Sequence, residues 1–262
     1  MRITPTRALV ALALAAPLAA QANPVRVRVM VENIAPTDSI TFAPLLVGFN
    51  NGSFDAFDAG QPASAAIVPI AEGGSGAVWF PEFQAADPGA VLGTVLPDPA
   101  GPLLPGASGM QEFIVDPAVN RFFTFAAMVV PSNDYFIGND SPTAYMLFDA
   151  LGNLNITSIV QRASDIWNAG SEATDPAHAA FLAIGTNALR TPENGVVGLD
   201  FADLATFDGL QTAAGYTFAS QLAADTDVYR ISFSVQPVPV PAALPLLAGG
   251  LGLLGAFARR RG

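Results

Sequence analysis

The stretch V25-R-V-R-V-M-V31 decides the fold. Its valines fall at 25, 27, 29 and 31, while Arg26, Arg28 and Met30 take the positions between. Successive side chains of a β-strand point to opposite faces, so a period of two predicts a half-buried strand. "VYRISFSV", residues 228–235, alternates in the same way near the other end of the domain. Between them "FAPLLVGFNNGSF" reads as a strand ending in an Asn-Gly turn, and "GMQEFIV" as another short strand. "RFFTFAAMVV" is a longer strand, rich enough in aromatics and valine to sit centrally. "TAYMLFDALGNLNITSIV" places Gly152-Asn153 between two apolar runs and predicts a hairpin. "AVWFPEF" reads as a short strand interrupted at Pro81, and Val95–Gly109 as a long proline loop. Two stretches break the pattern, "DPAHAAFLAIGTNAL" and "FADLATFDGLQ", and are read as short helices. Seven or eight short antiparallel strands without a repeat fit one all-β domain, a β-sandwich.

The two ends stand apart from that domain. Residues 1–22 have a basic start (Arg2, Arg7), an apolar run, "ALVALALAAPLAA", and a small-x-small site, Ala20-Gln21-Ala22. That is the pattern of a secretory signal peptide, so the chain is expected to be exported. Residues 237–262 form a proline linker, a transmembrane helix and an arginine cluster. Ala242 to Ala258 is uncharged and apolar. As a helix it would span roughly 25 Å at about 1.5 Å per residue, close to a hydrocarbon core. Arg259, Arg260 and Arg261 follow, on the side that would stay cytoplasmic. The folded domain is therefore read as 23–236.

Charge narrows the partners. All eleven basic residues are arginine and five lie in the two ends, leaving six in the domain against 22 Asp and Glu, a net charge of −16. Nucleic acid needs clustered positive charge and is excluded as a partner. No cysteine, no lysine and a single histidine, His178, remove thiol nucleophiles, Schiff-base chemistry and multi-histidine metal sites. No G-x-S-x-G elbow is present, and His178 in "DPAHAAFLAIG" reads as an ordinary loop or helix histidine.

"MVVPSNDYFIGND", residues 128–140, poses a sharper question. An apolar run stops at Pro131, a polar elbow (Ser132-Asn133-Asp134) follows, two aromatics dip back, and a second elbow (Gly138-Asn139-Asp140) appears. A cation site at the end of a sheet would need carboxylates presented in this way. The plainer reading is a pair of turns capped by Asp and Asn side chains.

The segment order resembles that of bacterial spondin domains. "VRVRVMVENIAPTDSITFAPLLVGFNNGSFDAFDAGQPAS" is similar to their opening, "MVVPSNDYFIGND" to their Pro-Ser-Pro-Asp-Trp segment, and "IWNAGSEATD" to their Tyr-Asp-Ala-Gly-Thr-Asp/Glu segment. "RTPENGVV" matches the run before the last strands. The resemblance implies an eight-stranded antiparallel β-sandwich like that of calcium-dependent lipid-binding modules. It implies extracellular-matrix and adhesion roles, and a calcium ion held at the positions of Asp134, Asn168 and Glu172. Asn168 stands where the family has aspartate, so the site would carry two negative charges instead of three. Weaker binding is then expected, or help from Asp140, Asp165 or Asp175. The tail, with Val-Pro-x-Pro-Ala at Val238–Ala242, resembles the PEP-CTERM sorting signal. That implies removal by an exosortase-type enzyme and release to the cell surface or extracellular matrix, among exopolysaccharide or other anionic ligands.

The leading expectation is a non-enzymatic, calcium-binding surface or matrix protein. One alternative is a polysaccharide-active enzyme using paired carboxylates, Asp55 with Asp58 or Asp134 with Glu172, since glycosidases need two such groups about 5–9.5 Å apart. The other is a membrane-anchored structural protein without a metal. In the "FDAFDAG" loop, Phe54 and Phe57 are expected to turn inward and Asp55 and Asp58 to face solvent.

Overall fold

The computed structural model describes residues 24–238. The leader and nearly all of the tail lie outside the described residues, so the readings placed on them have no structural counterpart here. Among the described residues no helix is long and apolar enough to cross a membrane.

The chain runs β1 (Val25–Asn33), β2 (Thr41–Phe42), β3 (Leu45–Asn50), α1 (Val68–Gly73), α2 (Trp79–Ala86), β4 (Val91–Val95), β5 (Ser108–Val115) and β6 (Phe122–Val130). It continues with β7 (Tyr135–Gly138), β8 (Ser158–Arg162), β9 (Trp167–Asn168), β10 (Gly198–Leu199) and β11 (Asp227–Pro237). Two antiparallel sheets result. The smaller has the order β5-β1-β11-β8; the larger has β10-β9-β7-β6-β3-β4, with β2 beside β6. Eight strands have four residues or more, and β2, β9 and β10 are two-residue pairings.

The two alternating stretches lie side by side in the small sheet, Val25 opposite Pro237 and Asn33 opposite Tyr229. Val27, Val29 and Val31 are buried, as are Tyr229, Ile231 and Phe233 across the pairing. Each such side chain taken from water contributes about 1.5–3 kcal/mol. The other face stays wet and carries Arg26 and Arg28 on Glu112, Arg230 on Glu32, and Arg162 on Asp227. The large sheet behaves differently. β3 and all but the first residue of β6 are buried throughout, because both faces are covered. Val47, Phe49, Phe123 and Phe125 meet the small sheet, while Leu46 and Ala126 meet a layer built from α1, α2, Phe54 and Phe57. A strand buried on both sides loses its alternation and reads as a continuous apolar run.

"AVWFPEF" is the main correction to the sequence reading. It is helix α2, not an interrupted strand. Pro81 sits in its first turn, where a missing N–H costs nothing, and Trp79 and Phe83 face the sheet. Gly48 in β3 makes room for it, since a Cβ there would lie 2.4 Å from the Phe83 ring. "DPAHAAFLAIGTNAL" forms turns and isolated bridges instead of a helix, and "FADLATFDGLQ" gives a 3-10 helix over Ala202–Phe207. The turn at Gly152-Asn153 is present, but its arms meet only at the Phe148–Leu154 bridge, and β8 pairs with β11 instead.

Candidate functional site

The elbow after β6 begins with Ser132, whose hydroxyl bonds back to the Val129 carbonyl and accepts the Tyr135 N–H at 3.3 Å. That closes a tight turn and aims Asn133 and Asp134 at the segment 168–193. The elbow does not show its carboxylate to solvent. Ser132, Asn133 and Asp134 are all 0% exposed. The following loops lie over it: Ala180 pairs with Ser132, the Ala169 N–H donates to the Asp134 carbonyl, and Glu172 bridges to Pro192.

Asp134 Oδ2 accepts three hydrogen bonds, from the Ser171 N–H (2.8 Å), the Glu172 N–H (3.0 Å) and the Ser171 hydroxyl (3.3 Å). Those two N–H groups point inward because Gly170 turns the chain at φ +65°, tight against Val196, whose backbone would be 2.7 Å from any added Cβ. Asp134 Oδ1 is buried with no hydrogen-bond partner among the described residues. An unpartnered buried oxygen is costly. Burial, opposed by the N–H donors and reinforced by the Glu172 charge, pushes the Asp134 pKa up to about 6.

Glu172 is 1% exposed. Its Oε1 accepts the Asn133 side-chain N–H at 3.2 Å, and its Oε2 has no hydrogen bond. The Arg190 Nε stands 3.5 Å from that Oε2, within ion-pair reach but too long for a good hydrogen bond. Burial raises the Glu172 pKa against the pull of Asn133 and Arg190. Asn133 completes the tie by accepting the Asp175 N–H (2.9 Å) and donating to the Asp175 carbonyl (3.2 Å).

The structure thus brings Asp134 and Glu172 together. Asn168 lies on the same turn, but its Oδ1 is bonded to the Gly170 N–H at 2.6 Å. It pairs in register with Tyr135, the residue after Asp134, so its side chain shares the Tyr135 face of the sheet. Asp140 Oδ1 takes the Ala59 N–H, Asp165 caps Arg162, and Asp175 bonds the Ala177 N–H and stands 3.2 Å from His178. Asp165 and Asp175 are tied within their own loops, and Asp140 holds the separate loop at Ala59. Among the described residues no three of His, Cys, Asp and Glu gather as a metal-binding group. The fit to calcium therefore rests on two buried, orphaned carboxylate oxygens, with neutral oxygens left to complete a shell of six to eight.

Asp55 and Asp58 face solvent while Phe54 and Phe57 are buried, as the loop pattern predicted. Partial burial, and then the like charges of Asp58 and Asp140, raise the Asp55 pKa. His178 Nδ1 meets Thr191 Oγ1 at 3.0 Å and Asp175.

Sequence reasoning missed Asn133, Glu72 and Arg190. Arg190 Nε forms an ion pair with Glu72 Oε2 at 3.0 Å, its Nη2 donates to the Glu72 carbonyl at 3.2 Å, and its Nη1 holds Asn187. The one available signal was scarcity: six arginines serve the whole domain, and one directly precedes "TPENG". Comparison with protein-family models and with curated proteins finds no match to this chain.

Proposed function

We propose that this chain is an exported, non-enzymatic β-sandwich of the spondin type, an eight-stranded frame closed by two-residue pairings, and that it works at the cell surface or in the extracellular matrix. Its elbow binds calcium through Asp134 and Glu172, and the bound ion stiffens the 168–193 loops for adhesion to an anionic partner such as exopolysaccharide. An exosortase-type enzyme processes its tail.

The observation that carries the reading is Asp134 Oδ1, a buried carboxylate oxygen without a partner among the described residues, with a second orphan, Glu172 Oε2, on the residue whose N–H bonds Asp134 Oδ2. A hard divalent cation would neutralise both charges and supply the missing contacts. Enzymatic use of the same pair is disfavoured by burial, since a glycoside could not reach them.

The test is thermal unfolding of the domain in calcium and in chelator. At a hundredfold excess over the dissociation constant, one folded-state site adds about 2.7 kcal/mol. For a domain of this size the midpoint should rise by roughly 5–10 °C. No shift up to millimolar calcium would refute the cation reading and leave a plain β-sandwich.

A further inference from the structure

Among the described residues Arg190 carries the only positive charge within ion-pair reach of this buried pair. Its Nε is shared unequally, 3.0 Å from Glu72 Oε2 and 3.5 Å from Glu172 Oε2. Glu172 Oε2 is one of the two orphaned carboxylate oxygens among the described residues. The rest of the guanidinium is fixed by the Glu72 carbonyl at the end of α1 and by Asn187, which itself donates to that carbonyl at 3.2 Å. A planar, permanently charged fork held this way is a built-in counter-ion.

We infer that Arg190 is an intramolecular competitor for the cation site: its guanidinium and a divalent cation contend for Glu172 Oε2, and Glu72 sets the balance by drawing the guanidinium away. This rests on the calcium reading above. Two positive charges cannot both sit on one buried carboxylate oxygen without strong repulsion in a medium of low effective dielectric. Cation entry thus requires Arg190 to move fully onto Glu72, which already holds it more closely. The device sets how much calcium the elbow needs, and it couples the site to α1 on the outer face of the large sheet.

The sign of two variants tests this. Arg190→Gln removes the competitor and keeps a side chain able to bond the Glu72 carbonyl; calcium affinity rises by about tenfold. Glu72→Gln frees Arg190 to settle on Glu172, so affinity falls by about fivefold or more. In the Arg190→Gln background, Glu72→Gln has little further effect, because its influence runs through Arg190. Calcium titration calorimetry gives the affinities, and circular dichroism in chelator establishes that each variant is folded. A merely structural latch would weaken binding in both single variants, and that result overturns the proposal. So does a Glu72→Gln loss that persists undiminished without Arg190. If wild type binds calcium and Arg190→Gln does not bind it more tightly, the competition is wrong and the site stands. If no folded variant binds calcium, the cation reading fails and the competition with it. Binding seen only in Arg190→Gln supports the proposal in its strongest form, a site locked by its own arginine.

Discussion

Asp134 is a carboxylate held where a neutral group would be more comfortable. Its ordinary pKa of 3.8 is pushed up to about 6, chiefly by burial. Without metal the folded chain therefore binds a proton at this site across a range where the unfolded chain does not. Acidification from about pH 7 towards pH 4 should add stability through this residue, at most on the order of 3 kcal/mol. Other carboxylates run the opposite way, Glu112 among them, whose pKa Arg28 lowers. The informative quantity is thus the difference between wild type and Asp134→Asn, from urea unfolding in chelator at several pH values. An amide can offer its oxygen to the Ser171 and Glu172 N–H groups and turn its NH2 to the place of the orphaned oxygen. At neutral pH in chelator the variant should be more stable than wild type by on the order of 1–3 kcal/mol, the gap closing on acidification. It should show no calcium-dependent gain. A variant clearly less stable at neutral pH would mean that the Asp134 charge is already compensated in the metal-free fold.

At the scale of elements, two turns and one helix position the site. The Gly170 turn is the tightest, with φ at +65° and the Val196 backbone against it. Gly170→Ala should cost about 1–3 kcal/mol from left-handed strain alone. It should also weaken calcium binding, by tilting the two N–H donors off Asp134; calorimetry on the folded variant reads that directly. Helix α2 is a separate unit: Phe83 stacks on Phe54 at 4.2 Å and meets Trp79 edge-on at 4.8 Å. Phe83→Ala should destabilise by about 3–5 kcal/mol, visible in the urea midpoint, while calcium affinity changes little. These elements also mark the limit of what sequence could reveal. β1 and β11 were legible because each keeps one face in water, so their pattern states their geometry. α2 was not, because six to eight residues with aromatics and a proline fit a buried strand as well as a short helix. The elbow was legible as a place, since Ser-Asn-Asp after Pro131 breaks an apolar run. Its burial was not, because the loops that cover it arrive about forty residues later and carry no periodicity. Glu72 and Arg190 were out of reach for the same reason: an ion pair joining positions 118 residues apart leaves no local trace.

On the scale of the whole molecule, the Val25–Pro237 pair and the elbow lie toward opposite ends of the sandwich. Val25 pairs with Pro237, so the chain enters and leaves the sandwich side by side. At the other end of β1, Asn33 bonds the Ile40 and Leu103 carbonyls, and Thr41 pairs with Val130 just before the elbow. A nine-residue strand is roughly 30 Å long, so the proposed cation site lies about that far from the Val25–Pro237 pair. Under the sorting reading proposed above, segments joined at Val25 and Pro237 would be removed without disturbing the elbow, and a tail held in a membrane would present the elbow outward. The six arginines and 22 carboxylates give the domain a charge that anionic headgroups would repel, so presentation away from the bilayer is also the favourable orientation. The corresponding prediction is for intact-mass measurement of the mature protein: a chain beginning at Asn23 and lacking Arg259-Arg260-Arg261-Gly262, with the same ends in Asp134→Asn. Mature protein that keeps the arginine cluster would replace the sorting reading with a membrane-anchored one. Ends that change when Asp134 is altered would mean that the two poles are coupled, contrary to the separation set by the β1 register.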